Sequence, residues 1–442
     1  MTKIDMALQS ANETRALEIG MGILNLVPVI FKEQFGDKKA IVIADTKTFE
    51  IAGKEVSGLL QQSGIEQDQP FIFQDKDLYA EMKFETQLEN ALKKTTAIPV
   101  AVGSGTINDL TKLASHRTGR PYMCVATAAS MDGYTAFGAS VTYKGAKQTF
   151  DCPAPQAVIA DIEIIKDAPK DMTASGYADL FAKVTAGADW ILADELGEEL
   201  IDPTAWSIVQ DGLRAALANP ESAGNGSADA IAPLVEGLML GGFAMQWSKT
   251  SRPASGAEHQ FSHLWDMEHH TQNGRAPSHG FKVGVATLAV SHFYEQMLQT
   301  AVDKLNVETC CAQWPSLEEQ EEEAREMFSD TNFLETALAE TRAKYISKDA
   351  LAKQLTTLKE NWPQIKDRLQ EQLLPAAEVK KRLGLVGAPN DPRDIGITLE
   401  RLRESFFRAQ HIRRRFTVLD VAVRTGYMNR WLNQMFDNKF WN

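Results

Sequence analysis

The residues of this chain best suited to chemistry lie in two short histidine segments. His259 and His263, in HQFSH, stand four apart and share one face if the segment is helical. His279 opens HGFKVGVAT, which reads as the start of the next helix. Upstream, Asp179 lies in SGYADLFAK, an apolar helical pattern in which an unpaired carboxylate is costly. One carboxylate and two neutral imidazoles leave a divalent cation with open positions, as a Lewis-acid site requires. Taken singly, each of these histidines reads better as a hydrogen-bonded core or surface residue. The set carries more weight, because five of the eight histidines fall between His259 and His279. The adjacent pair His269-His270 is set aside as solvent-facing, since neighbours on a helix point apart.

A second feature is the turn Gly103-Ser104-Gly105, which passes into Thr106-Ile107-Asn108-Asp109 where an apolar strand gives way to a helix. Such a turn aims backbone N–H groups and a helix dipole at one point, which suits a pyrophosphate. It is shorter than GxGxxG, and alone it reads better as a plain tight turn. Asp45 follows an earlier strand. It is placed to bond the adenine ribose hydroxyls of a dinucleotide, and equally placed to cap a helix. The sequence has no HExxH, no GxSxG and no P-loop, which argues against a zinc protease and narrows the field.

The elements that must position these residues fall into two halves. Up to about residue 165, strands alternate with helices. Strands are expected at Ala40–Ala44, Pro70–Phe73, Ala97–Val102, Pro121–Ala128 and Ala157–Ile165, with helical patterns at Ile51–Gln62 and Asp75–Lys94. Pro99 keeps the early part of its strand from donating a full ladder. ASVTY and AKQTF, flanking Lys144-Gly145, predict a β-hairpin beside the sheet. The alternation implies a Rossmann-like parallel α/β sheet. Asp167-Ala168-Pro169 is a helix-start signal, and the remainder reads as helix, for example at Thr204–Ala218, Pro233–Met245, Val283–Leu298 and Asp349–Asn361. The expected organisation is an α/β dinucleotide-binding domain over 1–165 and an all-helical metal- and substrate-binding domain over 166–442.

Bulk properties agree with this. The 442 residues exceed one ordinary core, and 44% hydrophobic with 24% charged residues and a mean hydropathy of −0.26 is a globular composition. A net charge of −13 speaks against a nucleic-acid partner. Leu317–Glu323 reads as a solvated acidic face, and the basic run Arg413–Arg415 is too short to alter that balance. No apolar run is expected to span a membrane, and the N-terminus lacks a secretory pattern. Cys124, Cys152, Cys310 and Cys311 have no CxxC spacing and read as reduced cytoplasmic thiols.

GSGTINDLTK, VATAASMDGYTAFGA, SGYADLFAKVTAGADW, SRPASGAEHQFSH and HGFKVG, in this order, resemble the sn-glycerol-1-phosphate dehydrogenases, most closely the bacterial type found with arabinose-utilisation genes. These belong with glycerol dehydrogenase, iron-type alcohol dehydrogenases and dehydroquinate synthase, so the resemblance implies a dehydroquinate-synthase-like fold. SRPASGAEHQFSH is the most specific stretch, because plain glycerol dehydrogenases differ there. The resemblance implies that Asp179, His259 and His279 bind one metal ion (zinc, nickel or iron). It gives His263 to the substrate side of the site, where that residue or a water relayed through it would supply the proton, and Asp132 to a substrate hydroxyl. Gly103, Ser104, Gly105, Thr106, Ile107, Asn108 and Asp109 would cradle the pyrophosphate of NAD, with NADP as the alternative, and Thr127 and Ser130 would line the nicotinamide half. Asp45, if it meets the ribose, repels a 2′-phosphate and favours NAD. Relatives often carry a small hydroxyl residue where this chain has Ala136, so one cofactor hydrogen bond is missing here. The tail beyond about residue 412 is longer than in relatives.

The reaction so implied is reduction of dihydroxyacetone phosphate to sn-glycerol-1-phosphate, with Lys183 and Lys282 as phosphate candidates and a cytoplasmic homodimer as the working form. The rival readings are a dehydrogenase of an unphosphorylated polyol such as glycerol, a dehydroquinate-synthase-like lyase, and a non-enzymatic relative.

Overall fold

The computed structural model describes residues 3–144, 146–437 and 439–441. Eight strands form two sheets. They are β1 (Ala16–Gly20), β2 (Ala40–Asp45), β3 (Phe71–Phe73), β4 (Ile98–Gly103), β5 (Met123–Ala126), β6 (Ala139–Tyr143), β7 (Ala146–Phe150) and β8 (Ala157–Asp161). Six of them make one sheet in the order β1-β8-β5-β4-β2-β3, parallel throughout. β4, β5 and β8 are buried along their whole length, as expected of strands covered on both faces by crossover helices. β6 and β7 pair antiparallel as the expected hairpin. Lys144 takes a left-handed φ of 51° at its turn, and Gly145 lies outside the described residues.

Pro99 sits inside a central strand, and the ladder explains why it is tolerated. The Ile98 N–H donates to Lys39 O on the β2 side, so the Pro99 nitrogen faces β5. There the pairing begins only at Val100, opposite Met123. The missing donor therefore falls outside the ladder.

Three expectations are corrected. The helix placed at Asp75–Lys94 runs only from Met82 to Leu92. Ahead of it, Asp77 N donates to the Asp75 carboxylate, a local turn bond that competes with helix. The strand placed at Ala157–Ile165 ends at Asp161. The Asp161 carboxylate accepts N–H bonds from Gly22, Ile23, Leu24 and Glu163, and so caps the helix Ile162–Ile165. β1, a short edge strand held by β8, was not anticipated. The long helical readings hold: Pro233–Met245 lies within the helix Ala228–Ser248, Val283–Leu298 within His279–Gln299, and Asp349–Asn361 overlaps Lys348–Glu360. Thr204–Ala218 divides into Pro203–Gln210 and Leu213–Ala216.

Mixed structure gives way to helix after β8, near residue 165, but the chain's two compact units divide elsewhere. The first comprises Met1–Leu180, Thr204–Ser251 and Leu385–Gly387; the second comprises Phe181–Pro203, Arg252–Gly384 and Ala388–Asn442. Two glycines explain why helical segments beyond 165 belong with the sheet. A Cβ on Gly176, in the helix Lys170–Phe181, would lie 1.9 Å from Ala129 O. A Cβ on Gly242, in the helix Ala228–Ser248, would lie 2.1 Å from Thr135 Oγ1 and 2.8 Å from Asp132 O. Both helices press on the loop after β5 as only glycine permits. By length and composition alone Ala228–Ser248 is apolar enough to cross a membrane, but it is a largely buried core helix.

Candidate metal and dinucleotide site

In the first unit, the C-terminal ends of three neighbouring strands converge. Asp45 ends β2, Gly103 ends β4, and Thr127, just after β5, donates its N–H to Gly103 O at 3.1 Å. The chain leaves β2 for β3 on one side and returns to β4 on the other, so the sheet order reverses here. This is the crevice where open α/β sheets bind ligands. The helix Gly105–Arg117 opens into it. Its N-cap Ser104 makes no side-chain capping bond, which leaves first-turn N–H groups for an anion. Of the following residues, Ile107 packs in the core. Asn108 accepts from Tyr122 OH at 2.9 Å. Burial pushes the Asp109 carboxyl up to about 6 against the pull of Lys112. Asp45 is a helix cap: its Oδ1 accepts from Lys47 N and Thr48 N, both at 2.8 Å, in a reciprocal capping box.

The loop carrying Ser130, Asp132 and Ala136 is held from beneath by Lys112. This buried ammonium donates to Gly133 O, Ala136 O and Gly138 O at 2.9, 2.9 and 3.0 Å. Tyr134 OH donates to Ala128 O, and Thr135 Oγ1 to Met239 O. Ser130 O accepts from Ser175 Oγ. At the head of the loop, Asp132 N donates to Asp179 Oδ2 at 3.0 Å, which ties the loop to the buried Asp179.

In the second unit, the helix Ala257–Met267 carries His259 and His263, and His279 starts the helix His279–Gln299. The ring centroids of His259 and His279 are 5.4 Å apart, and His263 lies 6.4 Å from each. The start of the His259 helix is tightly bound. Glu258 Oε1 accepts from His259 Nδ1 at 2.8 Å and from Gly256 N at 2.6 Å, while Oε2 accepts from Thr185 Oγ1 at 2.7 Å. Burial pushes the Glu258 carboxyl up, but these bonds outweigh it and hold it below the usual range. Asp189 accepts from Ala257 N, Val418 N and Tyr294 OH at 2.7, 2.7 and 2.6 Å. Burial, with Glu258 nearby, pushes its carboxyl up to about 7.

His269 is exposed, as expected, but His270 is not. It is a buried structural histidine whose Nε2 faces Ile395 O at 2.6 Å and whose Nδ1 meets Arg401 Nη1 at 2.8 Å. The pair lies past the end of the helix, so the helical rule used to judge it does not apply. Lys183 and Lys282 are both buried, and Lys282 is ion-paired with Asp266. Sequence reasoning missed Lys112, Glu258 and Asp189. A charged residue inside an apolar helix was the available signal, and it was followed only for Asp179. All four cysteines are free thiols.

Residues 18–169 match the family of iron-containing alcohol dehydrogenases, and the fold is that class's sheet unit joined to a helical unit. The chain is an oxidoreductase acting on CH–OH groups. More particularly, it belongs to the glycerol-1-phosphate dehydrogenase family. It is 33% identical over 293 residues to the glycerol-1-phosphate dehydrogenase [NAD(P)+] of Halalkalibacterium halodurans, covering 66% of this chain and 73% of that protein. It is 32% identical to the enzyme of the same name from Pyrococcus furiosus, covering 63% of this chain and 78% of that one. In structure it resembles glycerol dehydrogenase from Schizosaccharomyces pombe, with a TM-score of 0.59 at 16% identity over 97% of this chain and 92% of that one. This likeness concerns the fold.

Proposed function

We propose that this chain reduces dihydroxyacetone phosphate to sn-glycerol-1-phosphate with NAD(P)H, and that Asp179, His259 and His279 hold the divalent ion the reaction uses. The observation that carries the reading is that, within the second unit, the His259 and His279 rings stand 5.4 Å apart, with Glu258 holding His259 through Nδ1. A carboxylate with two imidazoles suits zinc, nickel or iron, and availability selects among them. When bound, the ion supplies Lewis acidity that polarises the substrate carbonyl.

The chain's own residues do the rest. The open N-terminus of the helix Gly105–Arg117, with Gly103–Asp109 around it, takes the cofactor pyrophosphate. Thr127 and Ser130 line the nicotinamide side, and Asp45 lies at the adjacent strand end for the ribose. Ala136 has no hydroxyl to offer the cofactor. Asp132, anchored through its N–H to Asp179, orients the terminal hydroxyl of the substrate and thereby the carbonyl face that receives hydride. His263, half-buried, gives the proton to the C2 oxygen, so that one hydride from the cofactor and one proton complete the alcohol. The four free thiols support a cytoplasmic setting. A homodimer is the expected form, to be read by light scattering.

The test is to follow NADH and NADPH oxidation by absorbance with dihydroxyacetone phosphate, using chelated enzyme re-supplied with zinc, nickel or iron. The product is then offered to an enantiospecific glycerol-3-phosphate assay. Metal-dependent oxidation yielding a product invisible to that assay is expected. Oxidation with dihydroxyacetone alone would transfer the reading to an unphosphorylated polyol.

A further inference from the structure

One cavity of the second unit has no part in the chemistry described so far. It measures about 30 Å³, room for about two water-sized groups. Residues of the helices Leu317–Phe328, Leu334–Lys344 and Val418–Arg424 and of the turn Ala409–His411 line it. Two polar side chains on this wall each have a nitrogen without a partner among the described residues. Gln320 Nε2 is buried and makes no hydrogen bond. His411 is 8% exposed, and its hydrogen bond is at Nδ1, which meets Thr341 Oγ1 at 2.8 Å. The Thr341 hydroxyl already donates to Ala337 O at 2.7 Å, so toward His411 it accepts. Nδ1 therefore carries the ring hydrogen, and Nε2 presents a lone pair. Burial, then repulsion from Lys344, pushes the His411 pKa down to about 3, so the ring is neutral and Nε2 stays an acceptor near neutral pH.

We propose that this cavity binds a small uncharged alcohol or polyol, whose O–H donates to His411 Nε2 and whose oxygen accepts from Gln320 Nε2. A hydroxyl does both at once, as a donor to the imidazole and an acceptor from the amide. The ligand is uncharged because the charges of the wall are already balanced. Lys344 Nζ pairs with Asp420 Oδ1 at 2.5 Å and donates to Gln410 O at 2.9 Å. Asp420 Oδ2 accepts from Thr417 N at 2.8 Å. Arg424 pairs with Glu198 and donates through Nη2 to Lys344 O at 3.1 Å. An ion entering here would bring a charge with no free counter-charge, which is costly in so enclosed a place. Carbon is welcome beside the hydroxyl. The Trp314 N–H is spent on Ile346 O at 2.9 Å, so Trp314 and Val423 offer the cavity only apolar surface. An alcohol that displaces water from those surfaces gains affinity that a second water does not. The inference concerns a place apart from the His259 site and does not rest on the function proposed above.

The experiment uses ethylene glycol as the probe and the nitrogen resonances of the full chain carrying isotope-labelled histidine, near neutral pH. The His411 Nε2 signal is identified by its loss in H411Q. Ethylene glycol should move that signal to a saturating end point. Q320L removes the amide donor and should weaken the apparent affinity by roughly 10-fold. V423F fills the cavity and should abolish the saturable shift. Circular dichroism checks that each variant is folded, and if V423F is not, Q320L alone decides. No shift, or one that grows without saturating, would overturn the proposal and leave a cavity that holds water only. Equal affinity in wild type and Q320L would overturn it as well, as would saturation by acetate in place of ethylene glycol.

Discussion

Glu258 Oε1 accepts the Nδ1 hydrogen of His259 at 2.8 Å, and both side chains are buried. With a carboxylate on Nδ1, the tautomer is set, which leaves Nε2 for the proposed ion. Exchange of Glu258 for Gln should weaken zinc binding by roughly 10- to 100-fold, read by competition with a chelating indicator. H259A should lose binding altogether. If E258Q keeps wild-type affinity while H259A loses it, Glu258 only shapes the helix start.

Lys112 supports the loop between β5 and β6 from below. K112M removes three hydrogen bonds to carbonyls and leaves those oxygens in a dry interior. A loss of about 3–5 kcal/mol is expected, measured from urea unfolding, with a higher KM for NADH in the protein that remains folded. Unchanged stability would mean that water replaces the ammonium.

At Gly176 an added methyl meets Ala129 O at 1.9 Å. G176A should cost about 1–3 kcal/mol. Because Asp179 lies one turn further along the same helix, bound zinc per chain should fall as well. A melting temperature equal to wild type would show that the helix can slide without loss.

His411 is buried against Thr341 Oγ1 at 2.8 Å. Burial, with Lys344 adding repulsion, pushes its pKa down to about 3 from an ordinary 6.5. Between those values the unfolded chain takes up the proton and the folded chain does not. The stability that His411 confers is therefore present above about pH 6.5 and is lost as the pH falls toward 3. From pH 7.5 to 5 this amounts to roughly 2 kcal/mol. H411Q keeps a hydrogen-bonding side chain without the titration, and its urea midpoint should change less over that interval.

Much of this could be read from the sequence because parallel strands and amphipathic helices carry strong periods. β2, β4 and β5 and the long helices fell close to their expected places, and the glycine turn lies at the strand ends that a dinucleotide fold uses. The failures are local. Asp75–Ala80 has helical composition but is claimed by an Asx turn. β1 is short and depends on β8 for its partner. His270 was judged by a helical rule although the helix had already ended. The supports of the site, Lys112, Glu258 and Asp189, were harder to see, because the partners that fix them are distant in sequence or are backbone atoms, and these carry no residue pattern.

The bond from Val418 N to Asp189 spans 229 residues, and Asp189 also holds Ala257 N at the head of the histidine helix. During synthesis, then, the His259 end of that helix cannot reach its final support until residue 418 has left the ribosome. Closing so long a loop is entropically costly and late. The nascent chain therefore carries its histidines on a half-supported segment while the sheet unit, nearly all of it translated earlier, can already have folded. Full support of the His259 end of the helix is therefore completed only after nearly all of the chain has been made.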